Sequence, residues 1–401
     1  MMVKISNIKK RYIFFTLVFL LSMVLLTACG SPQSAEKPSK PSAGAPAKTP
    51  GLPEMMTWSA YDIGSGGYIQ AGAMANALSK QYNVKVRILP SGTSVGRLTP
   101  LKTGAATYGF LADETYFAAE GLYEFAGYNW GPQNLRVVLQ HPATISLVAT
   151  AQSGIKTPAD FKGKRVAWVV GSPTIYKKAE ALLAFAGLTW NDVQKVEMPS
   201  YAASLKGLIE DKVDVAIAIP TASIMYELES SPKGIYWPEF PAADKEGWAK
   251  VKKVAPWLAP GKEDRGAGLK KGQPRELPAY SYPQIVTYAR QSGDEVYALV
   301  KALDETYGLY KDADQVMPDW ALAKSGKTPA GAPFHESAIK YLKEKGIWTA
   351  EDEQWNNQFL ERLKKVQQAW EKTIEEATAK GISEKDFPDF WLKKKKEFVG
   401  D

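Results

Sequence analysis

The sequence predicts an α/β protein of two lobes with a ligand cleft between them. Three observations predict it. Short β-branched and aromatic runs alternate with helically spaced apolar residues, which implies parallel sheets covered by helices. That order begins at residue 57 and begins again at residue 166. In both stretches the strands end in turns rich in Gly, Ser, Thr or Pro, where open α/β sheets bind ligands.

The first unit opens with a strand at 57–63, in which Trp58, Tyr61 and Ile63 suit a half-buried pleated surface. Gly64, Ser65, Gly66 and Gly67 break that pattern. From Tyr68 the spacing is helical, with Ile69, Ala73 and Ala77 on one face, which predicts a helix over 68–81. A strand at 84–89 leads through Pro90, Ser91, Gly92, Thr93 and Ser94 to a helix near 95–102. A strand at 107–111 leads through Ala112, Asp113, Glu114 and Thr115 to another helix. Glycines let a backbone approach a ligand closely, and free N–H groups at helix starts attract anions. The dinucleotide fingerprint is absent, because Ile69 holds its third glycine position. No phosphate loop of the Gly-x-x-x-x-Gly-Lys-Ser/Thr type occurs.

A strand at 135–140 and an extended segment at 145–150 lead into the second unit. There a strand at 166–170 meets Gly171, Ser172, Pro173 and Thr174 and then a helix at 175–186. A strand at 193–198 precedes a helix at 204–211, and a third strand at 213–219 ends in Pro220 and Thr221. The irregular stretch 233–281 is expected to cover one lobe. The strand 284–289 is expected to return to the first lobe, followed by a helix at 294–307. Trp355, Phe359, Leu363, Val366, Trp370 and Ile374 mark one face of a long helix, read as packing. Lobe I is expected to comprise 54–146 and 284–401, and lobe II 147–283.

Catalytic chemistry is missing. His141 and His335 are isolated and no ligand spacing surrounds them, so structural roles and no metal site are expected. No Gly-x-Ser-x-Gly elbow occurs. Asp113 and Glu114 are adjacent and do not face one point, unlike a glycosidase pair. The lysine run at 393–396 is read as a solvated tail. No enzyme activity and no cofactor are expected.

The formal charge of the 401 residues is +7, but residues 1–28 hold four cations and no acid. The remainder carries 46 basic against 43 acidic residues, too balanced for nucleic acid. The basic start, the apolar run 12–26 and Leu26-Thr27-Ala28-Cys29 match a bacterial lipoprotein signal, with Cys29 the lipidated residue. Cys29 is the only cysteine, so disulfides are excluded. Residues 29–53 read as the lipidated cysteine and a flexible tether. The expected location is extracytoplasmic, lipid-anchored to a bacterial membrane at the periplasm or cell surface.

Four motifs carry a family resemblance over residues 58–380: Asp62-Ile-Gly-Ser-Gly-Gly-Tyr68, Ser91-Gly-Thr-Ser-Val-Gly-Arg97, Ile155-Lys-Thr-Pro-Ala-Asp-Phe-Lys-Gly-Lys-Arg-Val166, and Pro333-Phe-His-Glu-Ser-Ala-Ile-Lys-Tyr-Leu-Lys-Glu-Lys-Gly346. The chain resembles the TAXI solute receptors of TRAP (tripartite ATP-independent periplasmic) transporters. The resemblance implies a type II periplasmic binding protein. Such a protein captures a small carboxylate or amino acid and delivers it to an ion-coupled TRAP membrane permease. It also implies pocket turns at Ser65, Gly66, Gly67 and Tyr68, at Ser91, Gly92, Thr93 and Ser94, and at Ser172 and Thr174. Asp113 and Thr221 end strands facing the same cleft. Arg97 stands where the family often has Asn, about one helical turn past Ser94, and two placements are open: facing the pocket, where it would grip a carboxylate in bidentate fashion, or on the solvent side of its helix. A monomer with no nucleic-acid partner is expected. The alternative is a lipid-anchored ligand-sensing subunit of the same fold with no transport partner.

Overall fold

The computed structural model describes residues 51–400. The signal segment, Cys29 and most of the tether lie outside the described residues. Two sheets organise the rest. The first contains β1 (Met55–Ala60), β2 (Lys85–Pro90), β3 (Tyr108–Leu111), β4 (Leu135–Thr144), β10 (Ala259–Pro260) and β11 (Pro278–Tyr288). β1 pairs in parallel with β2 and β3, and β11 lies antiparallel to both β3 and β4. The second contains β5 (Ser146–Thr150), β6 (Arg165–Val169), β7 (Gln194–Met198), β8 (Val215–Ala218) and β9 (Ile235–Tyr236), in the order β7-β6-β8-β5-β9. Here β6 is parallel to β7 and β8, while β5 is antiparallel to β8. Each sheet thus receives one antiparallel strand at a passage between lobes, β5 in the second and β11 in the first. The outward passage is the single residue Ile145 between β4 and β5.

Local chemistry explains the helix starts. α1 (Gly66–Tyr82) is capped by Ser65, whose side chain accepts from the Tyr68 N–H, and α2 (Ser94–Thr103) by Thr93, which accepts from Gly96. α3 is Glu114–Glu120. α4 (Pro173–Phe185) has Pro173 as its first residue, where a missing N–H costs nothing. α5 (Tyr201–Ile209), α6 (Ser223–Ser230) and α7 (Lys245–Val254) complete the second lobe. α8 (Gly293–Glu305), the short turns α9 (Tyr307–Tyr310) and α10 (Leu322–Ser325), and α11 (Glu336–Glu344) cover the first. α12 (Ala350–Lys380) and α13 (Phe387–Val399) pack on each other.

Each lobe has its own apolar core. Trp58, Phe110, Leu299 and Trp320 belong to the first, and Leu147, Val169, Leu182 and Trp237 to the second. Val366, Ala369, Phe387 and Trp391 form a third cluster between α12 and α13. The fold is α/β and two-lobed, with the turns of the two lobes facing each other.

Some local expectations differ from the structure. β1 ends at Ala60, so Ile63 lies outside it and is 66% exposed. β4 and β11 are longer than expected and run through Pro142 and Pro283. Their ladder shifts register between Ser281 and Gln284, and such an irregularity tolerates a proline that a regular ladder would not. The stretch 233–281 is partly regular, since it holds β9, α7 and β10, and α7 packs on α4. The lysine run lies in α13 and is largely paired. Lys395 is buried and bonds Glu120 at 2.6 Å, while Lys394 bonds Glu376 at 2.9 Å.

Candidate functional site

The predicted turns meet across the seam between the lobes. The Ser223 N–H and hydroxyl both donate to the Gly64 carbonyl, at 3.1 and 2.8 Å. The Ala202 N–H donates to Asp62 Oδ2 at 2.9 Å, and the Tyr201 N–H to the Gly92 carbonyl at 3.1 Å. Ser94 and Ser172 hydroxyls lie 3.2 Å apart, and Tyr61 Oη lies 3.4 Å from Thr174 Oγ1. Gly92 is required by this approach. A Cβ there would sit 2.3 Å from the Ser200 Cβ and 2.5 Å from an Asp62 oxygen.

Several expected donors already have partners within the protein. Ser65 and Thr93 hydroxyls are helix caps, and the Gly67 N–H donates to Tyr282 Oη at 3.1 Å. Gly66 is buried, Tyr68 half-buried, and Ser91 contributes its carbonyl to Arg97. Thr221 stands apart from the rest. It is buried against a small cavity of ≈ 10 Å³ beside His141 and Tyr282, and its hydroxyl has no partner.

Arg97 points inward and is fully buried. Its Nε donates to Glu114 Oε1 at 2.7 Å, Nη1 to the Ser91 carbonyl at 3.0 Å, and Nη2 to Ser94 Oγ at 3.4 Å. Its guanidinium stacks on the Tyr61 ring, 3.3 Å from the centroid. The carboxylate that it grips is therefore the protein's own. Burial is the largest influence and works against its charge, but Glu114, together with Tyr61 and Tyr282, holds the Arg97 pKa above its ordinary value. Burial pushes the phenols of Tyr61, Tyr280 and Tyr282 well above their usual range, so they are neutral donors and acceptors.

Asp113 turns the other way from Glu114. It pairs with Lys178 of α4 across the seam and accepts from Trp257 Nε1 at 3.0 Å. Lys178 also donates to the Thr174 carbonyl and hydroxyl, at 3.0 and 3.1 Å. Burial raises the Asp113 pKa against the pull of Lys178, and burial lowers that of Lys178 against the pull of Asp113. Sequence reasoning missed Lys178, although it lies one helical turn past Thr174, the spacing that drew attention to Arg97.

Beyond Asp113 opens a cavity of ≈ 480 Å³. Its walls include Tyr116, Trp257, Trp355, Phe359 and Arg362. Sequence reasoning assigned Trp355 and Phe359 to a packing stripe. That holds for Val366, Trp370 and Ile374, which pack in the α12–α13 cluster, but Trp355 and Phe359 are half-buried walls of this chamber. Of the tryptophans in 233–281, Trp237 and Trp248 are core residues, and Trp257 alone lines the chamber.

The profile of the NMT1-like family matches residues 63–346, from the first glycine turn to the end of α11. The chain belongs to the NMT1-like family. Solved structures similar to this NMT1-like chain include the alkanesulfonate-binding protein SsuA from Xanthomonas axonopodis pv. citri bound to MOPS (17% identity, 76% of this chain and 84% of that one, TM-score 0.41). Another is the ligand-binding component of an ABC-type import system from Staphylococcus aureus with zinc bound (11%, 75% and 96%, 0.44). A third is an ancestral arginine-binding protein bound to arginine (15%, 67% and 99%, 0.37). Among the described residues, no group of His, Cys, Asp and Glu is arranged to hold a metal, and no helix is long and apolar enough to cross a membrane.

Proposed function

We propose that this protein is an extracytoplasmic solute-binding lipoprotein. It closes its lobes on a small organic carboxylate or amino acid and delivers it to a membrane permease. The observation that carries this reading is the seam. Turns from both lobes meet there through hydrogen bonds with no covalent link, so the contact is reversible, as a hinged clamp requires. The buried charges of the seam are matched as the ion pairs Arg97–Glu114 and Lys178–Asp113, and its phenols are neutral, an arrangement that suits a binding cleft.

Two narrower parts of the reading rest on the sequence. The four TAXI-like motifs favour a TRAP permease as partner, and the Leu-Thr-Ala-Cys29 signal favours a lipid anchor with 29–53 as tether. Native mass spectrometry of protein purified from membranes tests these together. It is expected to show a bound organic acid and the mass of a lipid on Cys29. Uptake in cells carrying the protein and its permease is expected to follow the ion gradient and to survive ATP depletion. A chemically altered solute after incubation, or uptake that stops when ATP is depleted, would overturn the corresponding part.

A further inference from the structure

We infer that the aromatic chamber beside Asp113 is a binding site for a carboxylate that bears an aromatic ring, with the ring held by α12 and Trp257 and the carboxylate by Arg362. The inference rests on the solute-binding reading above and deepens it, because it places the bulk of the solute outside the hydroxyl-rich seam.

The walls argue for a ring. Trp257 and Tyr116 have centroids 5.9 Å apart, Tyr116 and Phe359 6.3 Å, and Phe359 and Trp355 5.2 Å. Four rings in succession make one continuous aromatic surface. A cavity of ≈ 480 Å³ with such walls and a few polar groups is of the size and character that hold small organic molecules. Rings recognise rings through offset or edge contacts, and do so without charge.

The charges argue for an anion. Glu120 is fully buried and accepts from Arg362 Nε at 2.7 Å, from Arg362 Nη2 at 3.0 Å and from Lys395 at 2.6 Å. Two cations share one carboxylate, which leaves one positive charge in surplus. Arg362 is the member of that triad that lines the chamber, and its Nη1 has no hydrogen bond among the described residues. Glu361 and Lys365 of the same helix line the adjoining hollow and, as one acid and one base, add no net charge. At the other end Lys178 already matches the Asp113 charge. Aromatic cages also hold organic cations, but those sites need an unmatched negative charge or none, and here the unmatched charge is positive.

α12 is fixed well enough to serve as a wall. Its N-terminal Thr349 and Asp352 form a capping box, and Asp352 also accepts from the Thr328 N–H at 3.0 Å. The Phe334 N–H donates to Asn356 at 2.8 Å. Trp355 and Phe359 thus project from a helix turn pinned at two points to the first lobe.

The test is calorimetry on the purified chain with four probes: 1-naphthylacetate, 1-naphthylmethanol, 1-naphthylmethylamine and L-glutamate. The expected result is that 1-naphthylacetate binds best, with the alcohol about tenfold weaker or more and the amine and glutamate weaker still. Phe359→Ala and Arg362→Gln should each weaken 1-naphthylacetate by about tenfold. Arg362→Lys, which keeps the charge, should recover part of the loss, and Phe359→Ala stands independently if the Glu120 triad fails to form in the arginine variants. Tighter binding of the amine, equal binding of acid and alcohol, no binding of any probe, or wild-type affinity in Phe359→Ala would overturn the inference. A ringless acid recovered with the protein and indifferent to Phe359→Ala would sink the chamber site while leaving solute binding intact.

Discussion

Arg97→Ala is expected to unfold the protein more readily, and the size of the effect can be worked from the geometry. The substitution removes a charge-assisted bond of 2.7 Å to Glu114, two weaker hydrogen bonds and a stacked contact on Tyr61. It also leaves the Glu114 carboxylate fully buried with no cation beside it, and Glu114 Oε2 already has no partner. Breaking one side of a buried ion pair costs about 3–5 kcal/mol, mostly through the charge left behind. At roughly 2.1 cal/mol/K per residue, a folded body of this size unfolds with an entropy of about 0.7 kcal/mol/K, so Tm should fall by about 4–7 °C. Calorimetric melting of the single and double variants is the assay. Arg97→Met with Glu114→Leu removes both charges and should recover most of the loss, a coupling of about 2 kcal/mol or more between the two sites. A Tm within about 1 °C of wild type in Arg97→Ala, or strictly additive single losses, would refute the buried-pair argument.

Two further predictions concern the seam and the first lobe. Gly92→Ala places a Cβ 2.3 Å from that of Ser200, where neither atom can swing away, so the lobes must part. X-ray scattering should give a larger radius than wild type and solute affinity should fall by about tenfold, and an unchanged radius would count against lobe contact at this point. His335 caps α11 with Nδ1 accepting from the Ser337 N–H at 3.2 Å, a role open only to the unprotonated nitrogen. Burial lowers its pKa, so its contribution to stability is present above its ordinary pKa of about 6.5 and is lost as pH falls through the lowered folded value. The difference in unfolding free energy between wild type and His335→Asn, read by denaturant titration, should therefore shrink as pH falls from about 6.5 through the lowered folded value, with a slope of at most about 1.4 kcal/mol per unit, and a pH-independent difference would disprove the linkage.

The fold was legible because its signals are local. The change from a period of two to a period of 3.6 at Gly64–Tyr68, and again at Gly171–Thr174, lies within a dozen residues. Where a signal depended on a distant partner, it was lost. Pro142 and Pro283 argue against long strands, and only the pairing of β4 with β11 shows the register shift that accommodates a proline. Ser65 and Thr93 stood three residues before the N–H groups that they cap, so their structural role could have been read from sequence.

The site divides in the same way. The hydroxyl-rich turns were visible because each is contiguous, but whether a turn faces ligand or the opposite lobe depends on residues about 80 to 160 positions away, such as Ser172 for Ser94 and Ser223 for Gly64. The stripe on α12 is the clearest case. Trp355, Phe359, Val366 and Trp370 share one helical period, and no property of the period separates them. Their surroundings do. Around Val366 and Trp370 a second helix, α13, supplies Phe387 and Trp391 to fill the space, whereas beside Trp355 and Phe359 the chain offers Tyr116 and Trp257, which continue the same aromatic wall around an open chamber. An aromatic face becomes core or binding wall according to whether the rest of the chain brings enough volume to close it, and that quantity is set by tertiary structure alone.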